Sequence, residues 1–212
     1  MNVVDASFAI EEGINGEEIL KKIEQYGRTC YKSEDRITPD SAKKFVSHII
    51  KLGHESVLEH EKVTVRVICD RGVSHEIVRH RIASYSQEST RYCNYSSSKF
   101  GQNVTFVLPT FWTSTSEDAR EKLKIWHVTM EKIEEAYHSL LSLGASPQEA
   151  RSVLPNSLKT EIVMTMNLRE WRHFFMLRTA QAAHPQMREI AVPLLEKFKE
   201  IIPVIFDDIA IK

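Results

Sequence analysis

Residues 62–69 read KVTVRVIC, and the alternation in that stretch sets the fold class. Val63, Val65, Val67 and Cys69 share one face of an extended chain, and Lys62, Thr64 and Arg66 share the other. That two-residue period predicts a half-buried strand. Leu158 to Asn167 reads as a second strand. Most of what lies on either side carries a helical period. Ser116 to Leu143 is the strongest case: Leu123, Trp126, Met130, Ile133, Tyr137, Leu140 and Leu141 follow steps of three and four, and Gly144 ends the run.

Shorter helices are predicted over Glu17–Tyr26, from Thr38-Pro39-Asp40 through Ile50, and over Val73–His80. Another starts at Ser146-Pro147-Gln148-Glu149 and stops before Pro155. Leu168–Thr179 and Gln186–Ile201 are helices, with a further short one over Pro203–Ile211. Residues 82–103 are rich in Ser, Thr, Asn, Gln and Tyr, show neither period, and read as a long polar loop of the kind that carries function. Few strands among many helices predict a helix-rich α+β fold in one domain over residues 1–212.

Charge and cysteine content narrow the classes. With 42% hydrophobic and 27% charged residues in 212, the chain can bury a core. Net charge is -1, so nothing global favours nucleic acid, and any anion site must come from local clustering. Cys30, Cys69 and Cys93 are far apart and form no C-x-x-C pair, which points to a reducing, cytoplasmic setting. Met1 to Ile10 does not read as a signal peptide, and no segment has the apolar length to span a bilayer.

The densest chemical cluster is Arg79-His80-Arg81 followed by Ser84, Ser86, Gln87, Ser89, Thr90 and Arg91. Guanidinium forks and hydroxyls suit a phosphorylated ligand, although a solvated basic turn has the same composition. Arg151 and Arg178 sit in half-apolar surroundings. On a helix, Arg178 shares a face with Phe174 and Phe175, so it needs either an anionic ligand or an internal partner such as Glu170. His54 and His60 lie six apart and fit neither zinc-protease spacing, so no metal site is expected. G-x-G-x-x-G, G-x-x-x-x-G-K and G-x-S-x-G are all absent, which excludes a Rossmann crevice, a P-loop and a serine elbow. Tyr85, Tyr92 and Tyr95 interleave with Arg near residue 91, which leaves single-stranded nucleic acid as a competing ligand.

Residues 79–89 read RHRIASYSQES, an Arg-His-Arg followed by seven residues and Ser. This resembles the signature of the flavin-dependent thymidylate synthases. GHESVLEH at 53–60, ARSVLPNSLKTEIVMTMNLREW at 150–171 and FFMLRTAQAAHPQMREI at 174–190 are similar to that family's other motifs, in the same order. The resemblance implies a small, mainly antiparallel sheet and reductive methylation of dUMP to dTMP. It implies 5,10-methylenetetrahydrofolate as carbon donor and NADPH-reduced FAD as hydride source. It also implies a homotetramer with active sites shared between subunits.

By the same resemblance, FAD would be held by Ser56, Arg79, His80, Arg81, Gln87, Asn167, Leu168, Arg169 and His173. The nucleotide would be held by Glu76, Ile77, Val78, Arg79, Gln87, Glu88, Ser89, Thr90, Arg91, Arg151 and Arg178. Arg178 would activate the uracil by stabilising negative charge at its N3/O2 edge; its own pKa is too high for it to act as a base. A flavin carrying the chemistry also accounts for the lack of an evident protein nucleophile. Four positions depart from the common pattern: Ser86-Gln87 replaces Asn-Glu, Glu76 replaces Gln, and His173 replaces Asn.

Overall fold

The computed structural model describes residues 1–11 and 13–211. Its strands are β1 (Asn2–Val4), β2 (Ser7–Ile10), β3 (Lys62–Asp70), β4 (Ala83–Gln87), β5 (Thr105–Val107) and β6 (Lys159–Asn167). Its helices are α1 (Gly16–Thr29), α2 (Ser41–Lys51), α3 (Arg71–Ile77), α4 (Glu117–Ser142), α5 (Pro147–Ala150), α6 (Leu168–Arg178), α7 (Pro185–Ile201) and α8 (Pro203–Phe206). This is the helix-rich α+β class. β2, β3, β6 and β4 are hydrogen-bonded neighbours in that order, while β1 pairs with β5 in parallel. No helix among the described residues is long and apolar enough to cross a membrane.

The alternation at 62–69 is realised: Val63, Val65, Val67 and Cys69 are buried along β3. The polar stretch 82–103 departs from expectation, because Ala83–Gln87 forms β4. Its period of two is written in Ala, Ser, Tyr and Gln, and its place at the end of the strand order requires no apolar face. α3 starts two residues early because Asp70 caps it, its carboxylate accepting from the Val73 amide at 2.7 Å. It stops at Ile77 rather than His80, and α8 stops at Phe206 rather than Ile211. The short strands β1, β2 and β5 carry no readable period.

The chain forms two compact units. One comprises residues 1–7, 67–79 and 86–163; the other comprises 8–66, 80–85 and 164–212. The first is built on α4, whose inward residues Trp126, Met130 and Tyr137 pack with Tyr95, Phe106 and Leu158. Glu134 on the same helix takes both the N-terminal ammonium of Met1 and the Val104 amide, each at 2.7 Å. In the second unit, Trp171, Phe175, Phe198 and Phe206 join α6, α7 and α8 in an aromatic core. The Trp171 indole N–H donates to the Val63 carbonyl at 3.1 Å and so ties α6 to β3. α1 runs close enough to the end of α7 that a Cβ at Gly16 would overlap the Ile201 carbonyl, which demands glycine there.

Candidate active site

In the second unit, β6 turns directly into α6. The Asn167 side chain caps that helix, accepting from the Glu170 amide at 2.8 Å. Glu170, Phe174 and Arg178 follow at intervals of four and lie on one side of α6. His80 docks against that side, its ring 4.9 Å from Phe174 and 5.6 Å from His173. Its Nδ1 lies 3.1 Å from a Glu170 oxygen, and the Arg178 Nε–H donates to its Nε2 at 3.0 Å.

A guanidinium only donates, so Nε2 must be the lone-pair nitrogen and the imidazole proton sits on Nδ1, donated to Glu170. His80 is therefore a neutral imidazole bridging a carboxylate and a cation. The pKa agrees: burial lowers it below the usual imidazole value, the Glu170 hydrogen bond opposes that, and Arg178 adds to the lowering. Tyr85 steadies the same residue by donating its hydroxyl to the His80 carbonyl at 2.7 Å, and burial pushes its phenol up to about 12.

His80, Glu170 and His173 bring ligand-type atoms within 4.8 Å of one another. With one His80 nitrogen protonated and the other accepting from a guanidinium, the trio fits a hydrogen-bond chain better than a metal cage. A cavity of about 480 Å³ opens beside it, lined by Asn167, Arg169, His173, Ile82 and Met176 among others. A larger depression of about 980 Å³ lies along α2 and α8, beside Lys43, His48 and Asp207, and touches none of the predicted residues. The smaller cavity is the one with chemistry around it.

Arg169 pairs with Glu59 at 2.6 Å, both well exposed, and such a pair is readily exchanged for another anion. Ser56 is exposed on the 3-10 turn Glu55–His60. Arg172 escaped the sequence reading. It is buried, donates to Glu55 at 3.1 Å and bidentately to Asp208 at 2.7 Å, and also bonds the Ile205 carbonyl. Its signal was a cation between Trp171 and His173 at a core-facing helical position.

The predicted nucleotide residues other than Arg178 fall in the first unit. Gln87 donates its amide to Ser74 at 2.9 Å and to Thr160 at 3.2 Å, both buried hydroxyls. Ser74 spends its own proton on the Arg71 carbonyl, so its oxygen can only accept from residue 87. That favours Gln over the more common Glu here. Glu88 accepts from the Tyr95 hydroxyl at 2.8 Å and from Lys159 at 2.7 Å, and its amide bonds the Glu161 carbonyl.

Arg151 donates to Thr90 at 3.2 Å, so these two predicted residues are brought together. Arg91 lies 5.4 Å over the exposed Tyr92 ring, and its amide donates to the Ser89 hydroxyl. Glu76 and Ile77 end α3, followed by Val78 and the exposed Arg79; His80 and the exposed Arg81 belong to the other unit. Ile77 and Leu168 are fully buried, which leaves only their backbones to meet a ligand. Ser74, Thr160 and Lys159 were not anticipated, since each acts through a partner 13 to 73 residues away, and Tyr95 supports Glu88 rather than stacking on a base.

The "Thymidylate synthase complementing protein" family matches residues 15–204. Flavin-dependent thymidylate synthase of Geobacter sulfurreducens is 36% identical over 188 residues, covering 85% of this chain and 78% of its own. The enzyme of the same description from Pyrococcus horikoshii is 40% identical over 175 residues, covering 81% and 70%. Among solved structures, a UMP/dUMP methylase PolB from Streptomyces cacaoi, bound with 5-Br dUMP, superposes with a TM-score of 0.79 at 22% identity over 98% of this chain and 96% of that one. Together with the fold, these likenesses define a methyltransferase of thymidylate synthesis. The chain belongs to the flavin-dependent thymidylate synthase family.

Proposed function

We propose that the protein converts dUMP to dTMP, with 5,10-methylenetetrahydrofolate as carbon donor and FAD, reduced by NADPH, as cofactor. The observation that carries this reading is the setting of Arg178: half-buried on the same side of α6 as Phe174, with its Nε–H donating to the Nε2 of a neutral imidazole. A guanidinium fixed in that way presents positive charge to a ligand while giving up no proton. At the N3/O2 edge of uracil it would stabilise the negative charge that makes C5 nucleophilic.

The cavity residues fit a flavin. Ile82 and Met176, both well exposed, offer apolar surface to a flat ring, and Asn167, Arg169 and His173 offer donors to its polar edge or phosphates. Ser56, Arg79, Arg81, Gln87 and the Leu168 backbone complete the set expected to hold FAD. His80 would serve mainly by positioning, since both ring nitrogens are engaged. Bound there, a reduced flavin supplies hydride; the chain's own residues bind, orient and hold charge.

For the nucleotide, Ser89, Thr90, Arg91 and Arg151 would hold the phosphate, supported by Glu76 to Arg79, Gln87 and Glu88. A homotetramer with sites completed between subunits is part of the same proposal. The nucleic-acid alternative is weakened. Tyr95 is buried and Tyr85 is bonded to His80, so only Tyr92 of the three tyrosines is free to stack.

The test is the visible spectrum of the purified protein titrated with dUMP. A flavin absorption perturbed by dUMP is expected. A colourless protein that neither takes up FAD nor turns over dUMP would overturn the reading.

A further inference from the structure

We propose that Glu170 is a positioning residue for Arg178, acting through the tautomer of His80. The inference rests on the reading of Arg178 given above. Glu170 is 8% exposed and His80 4%, so neither has water as a ready alternative partner. The Glu170 oxygen 3.1 Å from Nδ1 fixes the imidazole proton there, which leaves Nε2 as the acceptor for Arg178 Nε–H at 3.0 Å. Nε lies in the guanidinium plane, so anchoring it sets the direction of the whole fork. The helix supplies the frame: Glu170 and Arg178 sit two turns apart on α6, and Asn167 pins the first of those turns.

Without a hydrogen-bond acceptor at position 170, Nδ1–H would be left buried and unsatisfied. The ring would then be held only from the Arg178 side, and it would turn in search of another acceptor, taking Nε2 out of line with the Arg178 Nε–H. The carboxylate charge is secondary to its role as acceptor, and this separates two variants. Glu170→Gln can still accept from Nδ1–H through its amide oxygen. Glu170→Leu cannot.

The groups facing His80 are Glu170, His173 and Arg178 from α6, with the Phe174 ring and the Tyr85 hydroxyl beside it. Protonating His80 removes the acceptor for Arg178, so activity should fall on the acid side as the ring titrates. Glu170 favours the imidazolium form. Removing its charge lowers the His80 pKa, and Glu170→Gln should therefore move the acid limb of the kcat profile to lower pH.

The experiment uses the flavin-loaded full chain. Nitrogen NMR of histidine-labelled protein reads the tautomer with no reference to activity, and steady-state kinetics with dUMP across pH reads its consequence. Wild type and Glu170→Gln should show a protonated Nδ1 and a bare Nε2, with kcat within a few-fold of each other and the acid limb displaced downward in the Gln variant. Glu170→Leu should lose the hydrogen-bonded Nδ1 proton signature and about a hundredfold in kcat, as expected for a misaligned catalytic group, with flavin binding retained.

A wild-type His80 protonated on Nε2 at neutral pH would overturn the proposal. So would a folded, flavin-loaded Glu170→Leu that keeps full kcat, or a Gln variant as damaged as Leu. If the tautomer result holds while no protein form turns over dUMP, the proposed function fails and the positioning of Arg178 stands.

Discussion

The two units handle polar side chains in opposite ways. In the first, donors and acceptors close on one another: Gln87 with Ser74 and Thr160, Glu88 with Tyr95 and Lys159, and Thr90 with Arg151. In the second, a neutral imidazole packed on Phe174 stands between a buried carboxylate and the Arg178 guanidinium. A closed network holds backbone and side chains in shape, while a guanidinium oriented by an imidazole can direct its donors at a ligand. The Arg-His-Arg run joins both patterns, since Arg79 belongs to the first unit, His80 to the second, and residues from Ser86 to the first again. Substitutions in the second cluster should therefore change kcat, and those in the first should change binding.

The largest effect is expected from Arg178→Ala. Loss of a positioned donor to developing charge costs about 100- to 1000-fold in kcat. The flavin spectrum and thermal stability should remain close to wild type. A comparable loss in KM for dUMP with kcat unchanged would break the contrast, because Arg178 would then only bind. Arg178→Lys should recover little, since an ammonium lacks the Nε–H that His80 holds.

Next in size is stability. Arg172→Ala should cost about 3 kcal/mol, because Glu55 loses its partner in a part-buried position. Acid should reveal the same unit in two stages. The folded pKa of His80 is depressed, so below the ordinary imidazole value of about 6.5 the unfolded chain binds a proton that the folded chain resists, and stability falls with pH. The folded pKa of Asp208 is also depressed, chiefly by its hydrogen bonds to Arg172. Its contribution is complete above the ordinary carboxylate value of about 3.9 and disappears as pH drops through the folded value. Thermal melts from neutral pH to pH 3 should show both stages in wild type and a reduced second stage in Arg172→Ala. A single acid transition unchanged by that substitution would contradict the assignment.

Elements with a strong period were legible in the sequence. β3 alternates from Lys62 to Cys69 and α4 repeats over seven turns, so their inner faces followed from spacing alone. β4 was not legible, because Ala-Ser-Tyr-Ser-Gln alternates in exposure without alternating in hydropathy. The candidate site divides in the same way. Arg178 stood out because a cation follows a run of large apolar residues on one helix. Its partner His80 lies 98 residues away and Glu170 lies 90 residues from His80, a closure that no local window contains. The reason for Gln87 is likewise non-local: the Ser74 proton goes to the Arg71 carbonyl, so the Ser74 oxygen needs a donor at position 87.

Tyr95→Phe tests the first unit more gently. It removes one hydrogen bond to Glu88, worth about 1 kcal/mol, and leaves Lys159 in place. KM for dUMP should rise a few-fold while kcat holds. A fall in kcat with KM unchanged would mean that this network takes part in the chemistry.

The smallest effect is expected from the cysteines, and it bears on the mechanism as a whole. The cysteine-dependent thymidylate synthases attack uracil with a thiolate, so a thiolate here would make the Arg178 arrangement redundant. Cys69 is fully buried on β3, and burial, reinforced by Asp70, pushes its thiol up to about 12. Near neutral pH it is an apolar filler. Cys30 is exposed and Cys93 half-buried, and neither lies among the residues around Arg178 described above. Changing all three to Ala should cost about 1 kcal/mol of stability, mostly from the space left at Cys69. Turnover per bound flavin should stay within about twofold, as for substitutions away from functional groups. A triple variant that folds, binds flavin and no longer makes dTMP would place a thiol in the reaction. It would also reduce Arg178 from activating the base to holding it.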